Sequence, residues 1–271
     1  MKRKLQAIAV IVLFGIAKLG IEQRSTAALR DMKLRYTPMD LGMMENIGQA
    51  GFTASLGGLR ALVASITYMQ AYAAFENVEW GKVDTYFTWT TRLQPREASY
   101  WDEASWHMAY NAASYYQRDQ SRPPGMREEL FKAHIARGVE ILRAGLEYNP
   151  ENSRLWGRLG DVMSQRVGNM SEAAEDYFLA AKYSPPGQRA EMFKRQAGYK
   201  FAEASDPVSW KRGYDLLKDA YDHGWKVPGV IIGIKTLEPK LQIPLPQRIA
   251  DPMPKVGKKA PAPNLPGAHK H

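Results

Sequence analysis

The feature that most constrains the fold is a pair of helical patterns in residues 149–185. In the first part, apolar and small residues from Trp156 to Met163 recur at spacings of three and one, so they share one face of a helix. In the second part, Ala173 and Tyr177 recur at a helical spacing of four. The pattern predicts a helix–turn–helix hairpin about 34 residues long, which cannot bury its apolar face alone. Neighbouring hairpins are therefore expected on both sides.

The turn of this hairpin has its own signals. Asn169 precedes Glu172 by three residues, which is the spacing of a capping box that opens the second helix. Pro185 ends that helix. Gly160 and Ala173 are small, so we expect the two helices to approach closely at these positions while Trp156 and Tyr177 fill wider gaps.

A proline-to-tryptophan spacing that occurs twice indicates another repeat earlier in the chain. Trp101 follows Pro95 by six residues, and Trp156 follows Pro150 by six residues. This shared spacing predicts that residues 98–117 form the first helix of another hairpin. The excess length of this repeat falls at residues 121–125, a loop by its proline and glycine content.

The predicted fold is all-α, a solenoid of about four helix–turn–helix repeats. Residues 1–24 are interpreted as an N-terminal membrane segment, 25–58 as a connector and 59–238 as the repeat domain. Residues 239–271 are rich in proline and lysine and lack a large apolar cluster, which predicts a disordered tail. Further helices are predicted over residues 62–76, 80–93, 126–148, from 188 onward, 208–223 and 230–237.

The N-terminal segment has the charge pattern of a signal sequence. Lys2, Arg3 and Lys4 precede an uncharged apolar run over residues 5–17, and Lys18 follows. The run is shorter than the roughly 20 residues of a spanning helix, but Lys18 can snorkel and extend the span to residue 21. We interpret it as an uncleaved single-pass anchor, with a cleaved signal peptide and a buried helix of the fold as alternatives. The basic cluster stays in the cytoplasm, which places the repeats on the periplasmic side of an inner membrane.

The net charge of +9 comes from the two ends of the chain. Residues 1–24 hold five Lys or Arg against one Glu, and residues 240–271 hold six against one Asp, so the segment between them is neutral. This distribution favours contact with anionic lipid through the basic ends, and it argues against a nucleic-acid-binding body.

The hairpins resemble tetratricopeptide-repeat proteins over about residues 60–224, most closely in residues 149–185. The stretches LGGLRALVASITYMQAYAAFE (residues 56–76) and YWDEASWHMAYN (residues 100–111) also look like bacterial proteins that join an N-terminal membrane anchor to a few such repeats. That family is mostly uncharacterised. The resemblance implies an architecture and a location, with repeats that mediate protein contacts.

In tetratricopeptide-repeat proteins the first helices line a concave groove, and the resemblance assigns groove positions to this chain. Trp106 with Tyr110 would give an aromatic platform, unless Trp106 packs against the first repeat instead. Charged residues would orient a bound peptide. The predicted groove residues are Ser99, Asp102, Trp106, Tyr110, Arg154, Asp161 and Ser164.

The sequence offers little for catalysis. There is no cysteine, phosphate-binding glycine loop or hydrolase motif. His107, His134 and His223 lie on separate predicted helices, where surface or interface roles are expected. Asp102 and Glu103 lie near a helix start, where acidic residues complement the helix dipole. We therefore predict no catalytic residue, no cofactor and no metal site.

The leading functional hypothesis is a non-catalytic membrane-anchored adaptor, a subunit of a cell-envelope assembly of the secretion, pilus or biogenesis type, whose repeats bind a protein partner. One alternative is a peripheral spacer or assembly factor that contacts anionic lipid through its basic ends. Another is an enzyme with a cryptic site, which would require convergent polar groups in one pocket.

Overall fold

The computed structural model describes residues 58–250, and within that range the chain is all-helical, without a β-strand. The predicted all-α class is confirmed for this part of the chain. The predicted anchor (residues 1–24), nearly all of the connector and the end of the predicted tail lie outside the described residues. In residues 58–250 none of the helices combines the length and apolar character needed to cross a bilayer.

The helices follow one another through short connections. The third helix passes through a π-helical segment, His107–Ala112, and the fifth ends in another, Met163–Val167. The bounds are α1 Arg60–Glu76, α2 Trp80–Leu93, α3 Ala98–Trp106 continued after the π segment by Ala113–Arg118, α4 Pro124–Tyr148, α5 Ser153–Val162, α6 Met170–Lys182, α7 Gln188–Glu203, α8 Pro207–Asp222 and α9 Pro228–Lys240, followed by a 3-10 turn at Leu245–Gln247. The helix α2 begins and ends at the predicted residues.

Each helix packs on the next one in the chain, and two pairs of alternate helices, α3 with α5 and α7 with α9, also contact each other. This arrangement is repeat-like, as the spacing of the apolar residues predicted. Buried side chains from α1 to α6 form one continuous core around Phe87, Met108 and Leu142. A second core lies among α7, α8 and α9, around Leu217 and Ile234.

The hairpin of α5 and α6 has the predicted turn chemistry. The Asn169 Oδ1 atom accepts a hydrogen bond from the backbone N–H of Glu172 at 3.2 Å, and the Asn169 amide donates to the Glu172 carboxylate at 3.1 Å. Gly168 precedes it with φ +81°, and its N–H donates to the Met163 carbonyl at 2.8 Å. Glycine tolerates this left-handed conformation, so the chain can reverse within two residues.

Close approach of helices depends on glycine at several places, three of which lie in α4 and α5. A Cβ atom at Gly138 would lie 2.6 Å from the Cβ of Ala109, and one at Gly145 would lie 2.7 Å from the Trp101 ring. At Gly160 a Cβ would meet the Tyr177 ring at 3.0 Å. Tyr177 therefore packs directly over Gly160. The prediction that Tyr177 fills a wider gap between the helices is wrong.

The proline-to-tryptophan spacing has a physical cause. The indole N–H of Trp101 donates to the Pro95 carbonyl at 2.9 Å, and that of Trp156 donates to the Pro150 carbonyl at 2.7 Å. Trp210 makes the same contact with the carbonyl of residue 204 at 2.6 Å, although no proline marks the position. The three indoles thus fix the loops that lead into α3, α5 and α8.

The disordered tail predicted from residue 239 is wrong for residues 239–250. The buried Glu238 carboxylate accepts a hydrogen bond from the Ile249 backbone N–H at 2.7 Å, and the Ile249 side chain joins the core beside α9. Lys235 lies 3.3 Å from Glu238 and balances its charge. Single apolar residues between prolines give no periodic signal, which is why this segment was missed. Residues 251–271 lie outside the described range.

Candidate functional site

A concave pocket of about 620 Å³ lies between α5 and α7, with Tyr177 of α6 in its wall. Successive turns of α5 contribute Arg154, Arg158 and Asp161 to its lining. The facing side is α7, whose residues at spacings of three and four share one face. The lining residues from α7 are Arg189, Met192, Phe193, Gln196 and Lys200.

The pocket carries an excess of positive charge. Its lining has the cations Arg154, Arg158, Arg189 and Lys200 against the single carboxylate of Asp161. Arg189 is exposed and has no carboxylate within ion-pair distance among residues 58–250. Carboxylates outside the lining pair with the other three cations, since Asp102 contacts Arg154 and Arg158 and Glu203 contacts Lys200. The excess is therefore one positive charge, at Arg189, which favours binding of an anionic group.

Asp102 lies beneath the pocket and does not line it. Its carboxylate is only 1% exposed, and it accepts hydrogen bonds from the Nε atoms of Arg154 and Arg158, each at 2.5 Å. The contact joins α3 to α5 and holds both guanidinium groups in place. The expectation that Asp102 would orient a bound peptide directly is therefore wrong, because a ligand cannot reach it.

Asp161 is held by groups of its own repeat. The Tyr177 hydroxyl donates to it at 2.7 Å, and a guanidinium nitrogen of Arg158 lies 3.6 Å away. Burial raises the pKa of the Asp161 carboxyl, which the hydrogen bond from Tyr177 opposes. Burial also raises the pKa of the Tyr177 phenol. Perturbed titratable groups in a cleft are typical of functional sites.

Of the other predicted groove residues, Ser164 lines the α5–α7 pocket, and Ser99, Trp106 and Tyr110 lie on the third helix outside it. Ser164 lines the pocket, and its hydroxyl donates to the Asp161 carbonyl at 3.2 Å. Ser99 donates its hydroxyl to Glu97 at 2.7 Å in the first turn of α3, where it takes part in capping. Trp106 is 41% exposed and stacks on Tyr110, so it does not pack away against the first repeat. Tyr110 lies beside the pocket and donates its hydroxyl to Gln165 at 3.1 Å.

The α7 side of the pocket was not predicted from the sequence. Groove positions were predicted only in the second and third repeats, because residues 188–223 match the tetratricopeptide pattern loosely. The signal was nevertheless present, since Arg189, Gln196 and Lys200 recur at spacings of seven and four along one predicted helix.

The histidines and carboxylates do not converge on a metal site in residues 58–250. His107 is buried among aromatic rings, stacked on Phe87 and edge-on to Phe75, and burial lowers its pKa. His134 and His223 each have their Nδ1 atom 2.8 Å from a carbonyl of their own helix. Packing and hydrogen bonds within their own helices therefore account for the three histidines.

What the α5–α7 pocket can do chemically is bind an anionic, partly apolar group, because its cations lie beside the apolar surface of Met192 and Phe193. Comparison with known proteins adds no name to this geometry: no protein-family model matches the chain, and no characterised protein matches its sequence.

Proposed function

We propose that the chain is a membrane-anchored, tetratricopeptide-like adaptor whose α5–α7 pocket holds an acidic segment of a protein partner. The observation that carries the proposal is the excess of cations in that pocket. Three guanidinium groups and one ammonium group face the same cavity, against one carboxylate in the lining and two that pair with them from outside it, so Arg189 is left for a partner's carboxylate. Exposed cations on two neighbouring first helices match an extended peptide better than a compact ligand.

The fixed arginines support a role in recognition. Arg154 and Arg158 are positioned by a carboxylate that contacts no ligand, so their side-chain entropy is reduced before a partner binds. Guanidinium groups bind carboxylates with two parallel hydrogen bonds when their geometry allows it. Met192 and Phe193 add apolar surface for a neighbouring side chain of the same segment.

The sequence supports the location. The apolar run of residues 5–21 after a basic N-terminus would anchor the chain in an inner membrane, with the repeats in the periplasm. A subunit of an envelope assembly needs both an anchor and a docking surface, and the proposal takes the first from residues 5–21 and the second from α5 and α7. Catalysis is not part of the proposal, because Asp161 and Tyr177 already satisfy each other.

The test is a photo-crosslinking experiment in native membranes. The crosslinking residue p-benzoylphenylalanine replaces Met192, which lines the pocket, or Val208 as a control, which is 71% exposed on α8 and lies outside it. We expect one partner adduct from position 192 alone. The added substitution Arg189→Glu should abolish this adduct, whereas Lys132→Glu on α4 should leave it intact. Equal adducts from both positions, or an adduct that survives Arg189→Glu, would refute the docking site.

A second experiment separates the anchored adaptor from the peripheral spacer. Membranes that contain the full chain and membranes that contain residues 25–271 are washed with salt and then with alkaline carbonate. The adaptor proposal predicts that the full chain resists both washes and that the shortened chain is soluble. Salt-sensitive binding of the shortened chain would favour lipid contact through the basic tail.

A further inference from the structure

A second cavity, of about 560 Å³, lies where the α1–α2 corner meets the C-terminal ends of α3 and α5. Its walls are aromatic, and its charged lining residues are mostly cationic. The residues that matter here are Phe75, Trp80, Tyr110, Tyr115, Arg118 and Arg166. This cavity has no residue in common with the α5–α7 pocket.

The two π-helical segments meet at this cavity. Tyr110 belongs to the first segment, His107–Ala112, and Arg166 belongs to the second, Met163–Val167. The Arg166 guanidinium lies 4.5 Å from the centre of the Tyr110 ring. A π-helical turn is a rare insertion that re-aims side chains, and such turns are frequent at functional sites. The contact between two π-helical segments therefore indicates a functional role for this cavity wall in addition to packing.

The cations of the cavity lack carboxylate partners. Arg166 is half-buried and donates to the Ser114 hydroxyl at 2.9 Å, but no carboxylate within residues 58–250 forms an ion pair with it. The same is true of Arg118 in the described part of the chain. The only carboxylate in the lining, Asp119, is taken by Arg122 at 2.8 Å. A half-buried guanidinium without an anion is costly, and an anionic ligand would offset the cost.

Two buried donors in the same walls have no acceptor. The indole N–H of Trp80 and the Nε–H of Arg166 are both covered and unpartnered. By contrast, the indoles of Trp101, Trp156 and Trp210 all donate to carbonyls. A buried N–H group without an acceptor destabilises a protein because its desolvation is not offset. A ligand acceptor would satisfy these donors once their side chains turn toward the cavity.

We propose that this cavity binds a carboxylate carried beside an aromatic ring, with the ring against Trp80 and Tyr115 and the carboxylate on Arg118 and Arg166. Aromatic walls select the ring through stacking, and the two guanidinium groups select the carboxylate. Because the Trp80 indole N–H is covered, its ring must turn to reach a ligand oxygen. Binding should therefore change Trp80 fluorescence. The proposal does not rest on the α5–α7 pocket.

The test compares two matched probes on the full chain in detergent. N-acetylphenylalanine carries a free carboxylate, and N-acetylphenylalanine amide has the same ring without the charge. We expect the acid to bind at least about tenfold more tightly, since charge-assisted hydrogen bonds contribute more than the 1.4 kcal/mol that corresponds to tenfold. Equal binding of the two probes, or no binding of the acid, would overturn the proposal.

The variants locate the site. Arg166→Gln should weaken binding of the acid by about tenfold. Arg118→Gln, at an exposed position that folding does not need, is the companion if Arg166→Gln unfolds, and it should weaken binding as well. Trp80→Phe should weaken binding and abolish the fluorescence change; because Trp80 is buried in the first core, circular dichroism first confirms that the variant is folded. Arg189→Glu, in the other pocket, should have no effect. Binding that is unchanged by Arg118→Gln and Trp80→Phe would refute this site even if the probe binds elsewhere.

Two more probes identify the source of the carboxylate. Inorganic phosphate tests whether charge alone is enough, and competition equal to that of the acid would contradict the aromatic part of the proposal. A short peptide that ends in phenylalanine with a free carboxylate is compared with its amidated form. Preference for the free peptide over N-acetylphenylalanine points to a protein C-terminus, and equal binding points to a small carboxylate. Either of these two results is consistent with the site.

Discussion

The inner surfaces of the two halves of the molecule differ in chemistry although they belong to the same kind of helical hairpin. On α1 and α3 the inner surface is aromatic, and the protein fills it with its own groups: the hydroxyls of Tyr68 and Tyr72 both donate to Glu103, at 2.6 and 2.9 Å. On α5 and α7 the inner surface is basic. Arg154 and Arg158 share one buried carboxylate, and Arg189 has none in the part of the chain that is described.

The difference shows which helix junction pairs its charged and polar groups internally and which leaves a cation without a carboxylate. Between α1 and α3, aromatic stacking and hydrogen bonds leave the exposed rim with few unmet charges. Between α5 and α7, burial of one carboxylate fixes two arginines and still leaves an excess of positive charge. Around Glu103 the α1–α3 junction therefore acts structurally, apart from the separate cavity at the C-terminal end of α3, whereas the α5–α7 junction is suited to an external anion. Each prediction below tests one side of this contrast.

The largest effect should come from truncating a ring on each side. Phe87 is 1% exposed in the first core, so Phe87→Ala should lower the free energy of unfolding by about 3–5 kcal/mol. Phe193 is half-buried in the pocket wall, and Phe193→Ala should cost about 1 kcal/mol. Urea denaturation followed by circular dichroism measures both. Losses of equal size would show that the pocket wall is as rigid as the core.

The buried carboxylate should couple stability to charge. Asp102→Asn leaves two arginines with a neutral partner, and we expect a loss of about 1–3 kcal/mol, less than for a fully buried pair because both guanidinium groups reach solvent. Removal of the Asp102 charge makes the pocket more positive, and this should outweigh the loss of fixed arginine positions, so an oligoglutamate peptide should bind more tightly, measured by fluorescence anisotropy. Glu103→Gln, on the aromatic side, is the control and should leave peptide binding unchanged.

The two halves should also respond to pH in opposite directions. Burial raises the pKa of Asp176 to about 8, with a smaller contribution from Glu172. The unfolded carboxyl ionises near pH 4, so its contribution to stability is full below that pH and is lost as pH rises to about 8. The slope approaches about 1.4 kcal/mol per pH unit. Asp176→Asn should flatten it in denaturation measured at several pH values.

His107 gives the opposite response. Burial lowers its pKa, so the folded state holds the neutral ring while the unfolded chain begins to bind a proton near pH 6.5. Stability from this group is full above pH 6.5 and falls as the pH is lowered toward the depressed value. His107→Gln should reduce the acid sensitivity and leave the alkaline limb unchanged. If one substitution altered both limbs, the two groups would not be independent.

The smallest effect on stability should accompany a large effect on binding. Arg189 is exposed, and Arg189→Glu should change the free energy of unfolding by no more than about 0.5 kcal/mol. The same substitution should abolish binding of the oligoglutamate peptide. Lys132→Glu, an equally exposed charge reversal on α4, is the matched control. Loss of binding in both variants would indicate long-range charge rather than a site.

Residue periodicity predicted the helices well because apolar spacing and capping act locally. Asn169 caps the helix that its spacing to Glu172 predicted, and helix bounds differ by only a few residues from those predicted. The π-helical segments were not predictable, since the sequence YNA at 110–112 has no distinguishing propensity. The position of Asp102 in the site was not predictable either, because it depends on residues far away in the chain. Its charge suggested a ligand contact, but arginines 52 and 56 residues later in the chain bury it.

The tryptophan contacts at Trp101, Trp156 and Trp210 have a consequence for the order of folding. In each, donor and acceptor are six residues apart, so the contact closes a short loop at little entropic cost. Loops of this size close in about 10–100 ns, long before distant helices meet. Three such closures, each at the start of a helix, would let the helices grow from fixed points. The chain would then gain its register before it gains its core.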